Sequence, residues 1–279
     1  MEDLRQNEKY SFYMRNLGWD VELAEGSYCY IRKIPLIGLK IVKLQRPGRV
    51  VTAEFLKELT QRNHALVVYI EPKDNEQLSY YKRHGFKIIK SPLLPTKTIL
   101  IDVTKTPEVL LAEMHYKTRY NIKLAKRFSV SIKKTKKIRK FASFWQKNAL
   151  KRGMFLSMKR EIEAIYDSFD NKATILSAFH NKKKVGAVLL IDTDEVSYYM
   201  YATANAKGKQ VFAPTLLVWE ALLLAKKRGR KLFDFEGIYD ERFPIDSWKG
   251  FTRFKRNFGG KEVEYPGILR KFYVPFLFK

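Results

Sequence analysis

The sequence predicts a mixed α/β fold whose two halves follow a similar plan, and three observations carry that expectation. Runs rich in β-branched residues alternate with segments of helical period, glycine and proline mark the changes between them, and the same order of elements recurs in both halves without a close sequence repeat. The chain has 279 residues, 46% of them hydrophobic, which suffices for one large domain or two ordinary ones with a substantial core.

Residues 27–44 alternate and turn around Pro35 and Gly38, which predicts a hairpin. Arg46-Pro47-Gly48-Arg49 follows as a loop carrying two cations. Thr52 suits the N-cap of a short helix, and Ala65–Glu71 (ALVVYIE) suits a buried strand. Gln77–His84 is helical in pattern and stops at Gly85, a favourable C-terminal glycine. Phe86–Lys90 and Thr98–Val103 are two further strands, separated by the proline-bearing SPLLPTK. One helix then covers 106–127, with Thr106 as N-cap, Pro107 in the first helical position and Glu108 at the positive end. Leu111, Met114, Thr118, Ile122 and Ala125 fall along one side of it, and Arg119, Lys123, Lys126 and Arg127 roughly opposite.

The second half repeats this logic. A strand at Val130–Lys133 leads to helices at about Ile138–Arg152 and Lys159–Phe169. Ala173–His180 and Val185–Thr193 form a hairpin, and Glu195–Ala202 a third strand. A loop, TANAKGKQVFAP, precedes a helix over Pro214–Arg228, which ends at Gly229 before a strand at Lys231–Phe235.

The charge is strongly unbalanced, 54 basic residues against 29 acidic, or +25. From Met114 to Arg160 there are sixteen Lys or Arg and no Asp or Glu. Solvated helix faces usually mix both signs, so this tract points to a polyanion-binding role, and the overall excess to attraction for nucleic acid, anionic lipid or acidic small molecules. Cys29 is the only cysteine, which excludes an internal disulfide framework and any cysteine-based zinc site. The N-terminus has no signal pattern and no apolar run reaches the ~18–20 residues of a bilayer span. A cytoplasmic protein is expected, with its charge able to hold it at the anionic inner face of the membrane.

The four histidines, His64, His84, His115 and His180, are scattered without metal-ligand spacing, and no triad motif is present. Neither a metal nor a covalent enzyme intermediate is expected. Asp234 and Glu236 stand at alternate positions of one strand and so point the same way, as do Tyr199 and Tyr201. Paired carboxylates can accept an amine proton or anchor neighbouring cations. Trp248, Phe251, Phe254 and Phe258 have the spacing of a buried helix face, which would leave Lys255 in solvent. The order hairpin, strand, glycine-containing loop, helix, strand is that of the acetyltransferase (GNAT) fold, whose loop holds a pyrophosphate at a helix start. Here the loop offers only Gly208, beside Lys207, Lys209 and Gln210, and a short glycine loop before a helix is more often ordinary turn chemistry.

A series of motifs in fixed order then resembles the FemABX aminoacyltransferases, which build peptidoglycan cross-bridges from aminoacyl-tRNA. They are Leu17-Gly18-Trp19, Tyr81–Phe86 with Pro92, Pro95 and Thr98–Asp102, and Lys117–Ala125 (KTRYNIKLA). Tyr199–Ala202, Ala213-Pro214 with Trp219-Glu220, Phe233–Gly237, and Gly250, Phe254-Lys255 and Phe258–Gly260 complete the series. Two departures stand out: the chain begins near the family's Trp motif, so part of a first strand is expected to be missing, and Ala202 replaces a glycine.

The resemblance implies two GNAT-like domains packed side by side, the first spanning 1–135 plus 265–279 and the second 136–264, without the long helical arm of some members. It implies transfer of an amino acid from aminoacyl-tRNA to the stem peptide of UDP-MurNAc-pentapeptide or lipid II by a monomer needing no cofactor. Lys255 would stabilise the oxyanion or the leaving 3′ oxygen, Phe254 would stack on the terminal adenine, and Asp234 would accept the amine proton. Tyr199 and Tyr201 would position substrate, and Arg46, Arg49 and Arg119 would meet the acceptor's diphosphate. Lys123, Lys126, Arg127, Lys133 and Lys134 would grip the tRNA through its phosphates. Two other readings remain open at this point: a related transferase acting on a protein N-terminus or a small metabolite, and a non-enzymatic tRNA-binding protein.

Overall fold

The computed structural model describes residues 2–36 and 38–273, so Ile37 in the predicted hairpin turn and the last six residues lie outside the description. After a short 3-10 turn at Leu4–Gln6 come α1 (Glu8–Asn16), β1 (Asp20–Ala24), β2 (Ser27–Lys33) and β3 (Lys40–Gln45). Then follow α2 (Ala53–Asn63), β4 (Ala65–Glu71), α3 (Asn75–Arg83) and β5 (Lys87–Ile88). The local signals explain these elements. The Thr52 hydroxyl accepts from the Phe55 N–H and Asp74 from the Gln77 N–H, each closing a helix start. Gly85 turns the chain out of α3 at φ 82°, a conformation that glycine adopts without strain.

The middle of the chain supplies β6 (Lys97–Asp102), α4 (Pro107–Glu113), α5 (Tyr116–Arg127), β7 (Ser131–Thr135), α6 (Ile138–Leu150) and α7 (Lys159–Phe169). Next are β8 (Ala173–His180), β9 (Lys183–Asp192), β10 (Val196–Ala204), α8 (Ala206–Gln210), α9 (Ala213–Lys227) and β11 (Leu232–Asp234). The chain closes with α10 (Lys249–Arg256), β12 (Lys261–Glu264) and β13 (Leu269–Phe272). Between Ala178 and Phe254 the longest helix is the 15-residue α9, and no helical arm is present there.

The chain falls into two compact units. The first holds the described residues up to Lys97, Asp240–Pro244, and the described part of Glu264–Lys279. Its sheet has the order β1-β2-β3-β4-β13-β5, with β3 and β4 parallel and β13 antiparallel to both of its neighbours. Cys29, Ile31, Val42, Leu44, Leu56, Leu59, Val68 and Ile70 form its core. Burial pushes the Cys29 thiol up to about 12, as suits a small core residue rather than a nucleophile.

The second unit, Thr98–Tyr239 with Ile245–Val263, is built on a sheet of order β12-β6-β11-β10-β9-β8-β7. Residues 98–135 thus belong here, whereas the family resemblance implies that they belong to the first domain. The physical reason is pairing: β6 lies antiparallel to β11 and β7 antiparallel to β8. Leu176, Ala178, Val188 and Leu190 face a core shared with α4, α5 and α9. The same strands also meet α7, while α6 packs on β10, which is why β8 and β9 are apolar almost throughout.

Three local expectations change. The single helix over 106–127 is two helices, because Met114 and His115 are extended and the His115 N–H donates to the Asn257 carbonyl (2.9 Å). Its buried stripe survives the break: Met114, Thr118, Ile122 and Ala125 are all buried. The loop after β10 contains the short helix α8. Finally, the ladder between β9 and β10 slips between Tyr199 and Tyr201, which makes Met200 the extra residue of a β-bulge. Among the described residues no helix is long and apolar enough to cross a membrane.

Candidate active site

The parallel pairing of β10 with β11 stops at Tyr198 and Asp234, but β10 continues to Ala204. Past Asp234 the β11 strand has no ladder partner on that side, and the backbone turns sharply, with Glu236 at φ 55° and Gly237 at φ 111°. The Asp234 carboxylate organises this turn. It accepts from the Thr98 hydroxyl (2.5 Å) and from the Glu236 N–H (2.8 Å), while the Gly237 N–H donates to the Thr98 hydroxyl (3.2 Å).

Into this turn α10 sends Lys255. Its ammonium donates to the Phe235 carbonyl (2.8 Å) and the Gly237 carbonyl (2.6 Å), and it lies over the Phe251 ring at 4.7 Å from the centroid. Lys255 is only 9% exposed, whereas Phe251 on the same helix is 36% exposed. The aromatic spacing alone implies the reverse. Burial pulls the Lys255 ammonium down to about 8, while Glu236 and then Asp234 act in the opposite sense. A buried cation near two carboxylates, where a strand pair ends, makes this turn the candidate functional site.

The sequence-derived candidates divide on this geometry. Lys255, Asp234 and Phe254 come together, since Phe254 packs edge-on against Phe258, which meets Phe235. Tyr199 joins them from below through Phe233 and Phe235, fully packed, and burial pushes its phenol well above the usual range. Tyr201 does not join them. The bulge at Met200 breaks the two-residue alternation, so Tyr201 packs edge-on against Trp145 of α6 instead of sharing a face with Tyr199. Asp234 and Glu236 likewise lose their common strand face, because the strand ends at Asp234. They still lie close enough to Lys255 to influence its charge.

Arg46, in the first unit, is buried rather than in solvent. It pairs with Asp3 (3.2 Å), donates to the Pro95 carbonyl and stacks on Tyr265 with its guanidinium 3.5 Å from the ring centroid. Arg49 is exposed and donates to the Glu25 carbonyl. Arg119 is engaged in closing α4, donating to the carbonyls of Leu111, Ala112 and Met114 (3.4, 3.2 and 2.5 Å). Lys123, Lys126 and Arg127 on α5 and Lys133 and Lys134 on the edge strand β7 are all exposed.

Sequence reasoning passed over Thr98 and the carbonyls of Phe235 and Gly237, which hold the site together. The available signal was Gly237 directly after an apolar strand, the mark of a backbone that turns or approaches closely. The reason for Gly208 is steric: a Cβ there would lie 2.1 Å from the Val185 carbonyl oxygen, so α8 can sit against β9 only with glycine. Gly208→Ala is expected to lower stability by about 2–3 kcal/mol, measured by urea unfolding, because backbone rather than a mobile side chain must yield. Among the described residues no three His, Cys, Asp or Glu side chains are grouped to hold a metal ion.

Residues 157–279 match the FemAB family model. The crystal structure of FemX is similar over 99% of this chain and 94% of that one, with a TM-score of 0.83 at 16% identity. A conserved Bacteroides thetaiotaomicron protein of unknown function is similar over 98% and 94%, with a TM-score of 0.65 at 11% identity. A tandem GNAT protein from the clavulanic acid biosynthesis pathway is similar over 89% and 80%, with a TM-score of 0.52 at 10% identity. At these identities the solved structures share the fold, two sheets of GNAT-like plan. No curated protein matches the chain in sequence.

Proposed function

Residues 157–279 match the FemAB family model, and from that premise we propose that this protein moves an amino acid from an aminoacyl-tRNA ester onto the stem peptide of a peptidoglycan precursor. The observation that carries the proposal is Lys255, a buried ammonium tied to two backbone carbonyls beside Glu236 and Asp234.

An aminoacyl ester is already activated. The acceptor amine attacks the ester carbonyl carbon, the C–N bond forms, the bond to the ribose oxygen breaks, and the amine's proton ends on that oxygen. Protein groups need only align the partners and stabilise the oxyanion. Lys255 supplies a cation without a water shell, which strengthens its pull on developing negative charge. Glu236, half-buried at the turn, acts on the Lys255 charge more strongly than Asp234 does and takes the amine proton in transit, while Asp234 accepts from Thr98 and from the Glu236 N–H and so fixes the turn. Asp234 is then a positioning residue. Phe254 offers an aromatic face for the terminal adenine, and the exposed cations of α5 and β7 offer phosphate contacts to the acceptor arm. The tRNA ester is the activated donor, so no further cofactor is invoked.

The test is a transfer assay with a mixed pool of charged tRNAs and either UDP-MurNAc-pentapeptide or lipid II, followed by mass. A gain of one amino-acid residue on either acceptor is expected. Transfer from acetyl-CoA with none from charged tRNA would overturn the donor. Folded protein that binds tRNA and modifies neither acceptor would overturn the acceptor.

A further inference from the structure

The end of α6 carries an apolar tip that the proposed reaction does not use. The helix stops in a Schellman turn: the Met154 N–H donates to the Ala149 carbonyl (3.1 Å) and the Gly153 N–H to the Leu150 carbonyl (3.0 Å), with Gly153 at φ 83°. The chain beyond is held from inside. Gln146, itself 5% exposed, donates to the Leu156 carbonyl (3.3 Å) and accepts from the Met158 N–H (2.9 Å). The backbone of this turn is therefore tied down, yet its side chains point outward. Phe155 is 82% exposed, Leu156 73%, and Met154 and Leu150 46% each.

A built turn that spends its hydrogen bonds on presenting a phenylalanine and a leucine to solvent needs a reason, because exposed apolar side chains at Leu150 and at the consecutive Met154, Phe155 and Leu156 are a liability in water. Their surroundings supply one. Lys147, Lys151 and Arg152 precede or border the tip, Lys159 and Arg160 follow it, and all five are exposed. No acidic residue occurs between Met114 and Arg160. Apolar side chains at the centre and cations around them match the interface of an anionic bilayer, where the tip enters the acyl boundary and the cations meet the headgroups. Nucleic acid uses the cations but has no use for Phe155 and Leu156 in this setting, since their neighbours are aliphatic rather than a stacking platform.

We propose that the Leu150–Leu156 turn docks this protein on an anionic lipid surface, with Phe155 and Leu156 inserted and the flanking cations bound to headgroups. The attachment is peripheral and reversible. It is independent of the transfer reaction, and it would bring a lipid-linked acceptor within reach without any spanning segment.

The experiment is flotation of the full chain with phosphatidylcholine vesicles, with and without phosphatidylglycerol. The wild type should float with the anionic vesicles and not with the neutral ones, and less so as salt is raised. Phe155→Ser with Leu156→Ser should weaken that partition about ten-fold or more, because the inserted area is lost while every cation remains. The same double variant should bind uncharged tRNA as the wild type does. Phe155→Trp keeps the bulk of the side chain and should gain fluorescence quenching by lipids with brominated acyl chains, relative to the wild type. Wild type that fails to float with anionic vesicles overturns the proposal. So does a double variant that floats unchanged, which would mean adsorption by charge alone, or one that loses tRNA binding in equal measure, which would assign the turn to RNA.

Discussion

Lys255→Met is expected to lower the transfer rate about 10²–10³-fold, as removal of one oxyanion-stabilising group does elsewhere, and to leave the protein about as stable as before. The stability half of this result follows from burial. Lowering the ammonium from 10.5 to about 8 corresponds to about 3 kcal/mol held against the charged form at neutral pH. Methionine removes that burden but deprives the Phe235 and Gly237 carbonyls of this donor, at about 1–3 kcal/mol each. The two contributions nearly cancel, and a residue whose removal abolishes activity without unfolding is one retained for function. A variant with wild-type transfer would remove Lys255 from the chemistry.

The pH dependence has a definite sign. If Lys255 stabilises the oxyanion as proposed, it does so protonated, so the rate should fall as pH rises through about 8, and that limb should vanish in the variant. Stability moves the other way. Between about 8 and 10.5 the unfolded chain keeps a proton that the folded chain has released, so wild-type stability gains with rising pH there and Lys255→Met loses the gain. Unfolding midpoints across that range test this directly.

Arg46→Met carries the largest expected stability loss, about 3–5 kcal/mol, because it leaves a buried carboxylate with one partner fewer. Asp3 is 8% exposed and lies against Arg46 (3.2 Å) and Arg5 (3.5 Å). Burial pushes its carboxyl up, but Arg5 and Arg46, with their hydrogen bonds, outweigh burial and hold it below the usual 3.8. The stability this pair contributes is complete above 3.8 and is lost as pH falls through the lower folded value. The gap between wild type and Arg46→Met should therefore be full at neutral pH and shrink in acid. An equal midpoint for the two proteins at neutral pH would show that the guanidinium is no structural tie.

Much of the fold was legible because it depends on neighbours in sequence. Thr52 caps α2, Thr106 caps α4 and α7 spans Lys159–Phe169, all where the local pattern puts them, since a cap bonds an amide two or three residues away. The bulge at Met200 was not legible. A strand with one extra residue has the same composition as a regular strand, and only pairing with β9 separates Tyr199 from Tyr201.

The sequence by itself determined the alternation of strands and helices, the acid-free basic tract and the ordered motifs that end at Phe254-Lys255, because periodicity, charge and short motifs are properties of the chain. Tertiary structure decided where those residues stand. It broke the predicted helix at His115 by offering the Asn257 carbonyl, moved β6 and β7 into the second sheet, buried Arg46 against Asp3, and buried Lys255 while exposing Phe251 and Phe155. Each of these rests on partners far away in sequence, and burial against such partners is what turns a lysine on a helix into a poised cation and a loop arginine into a structural tie.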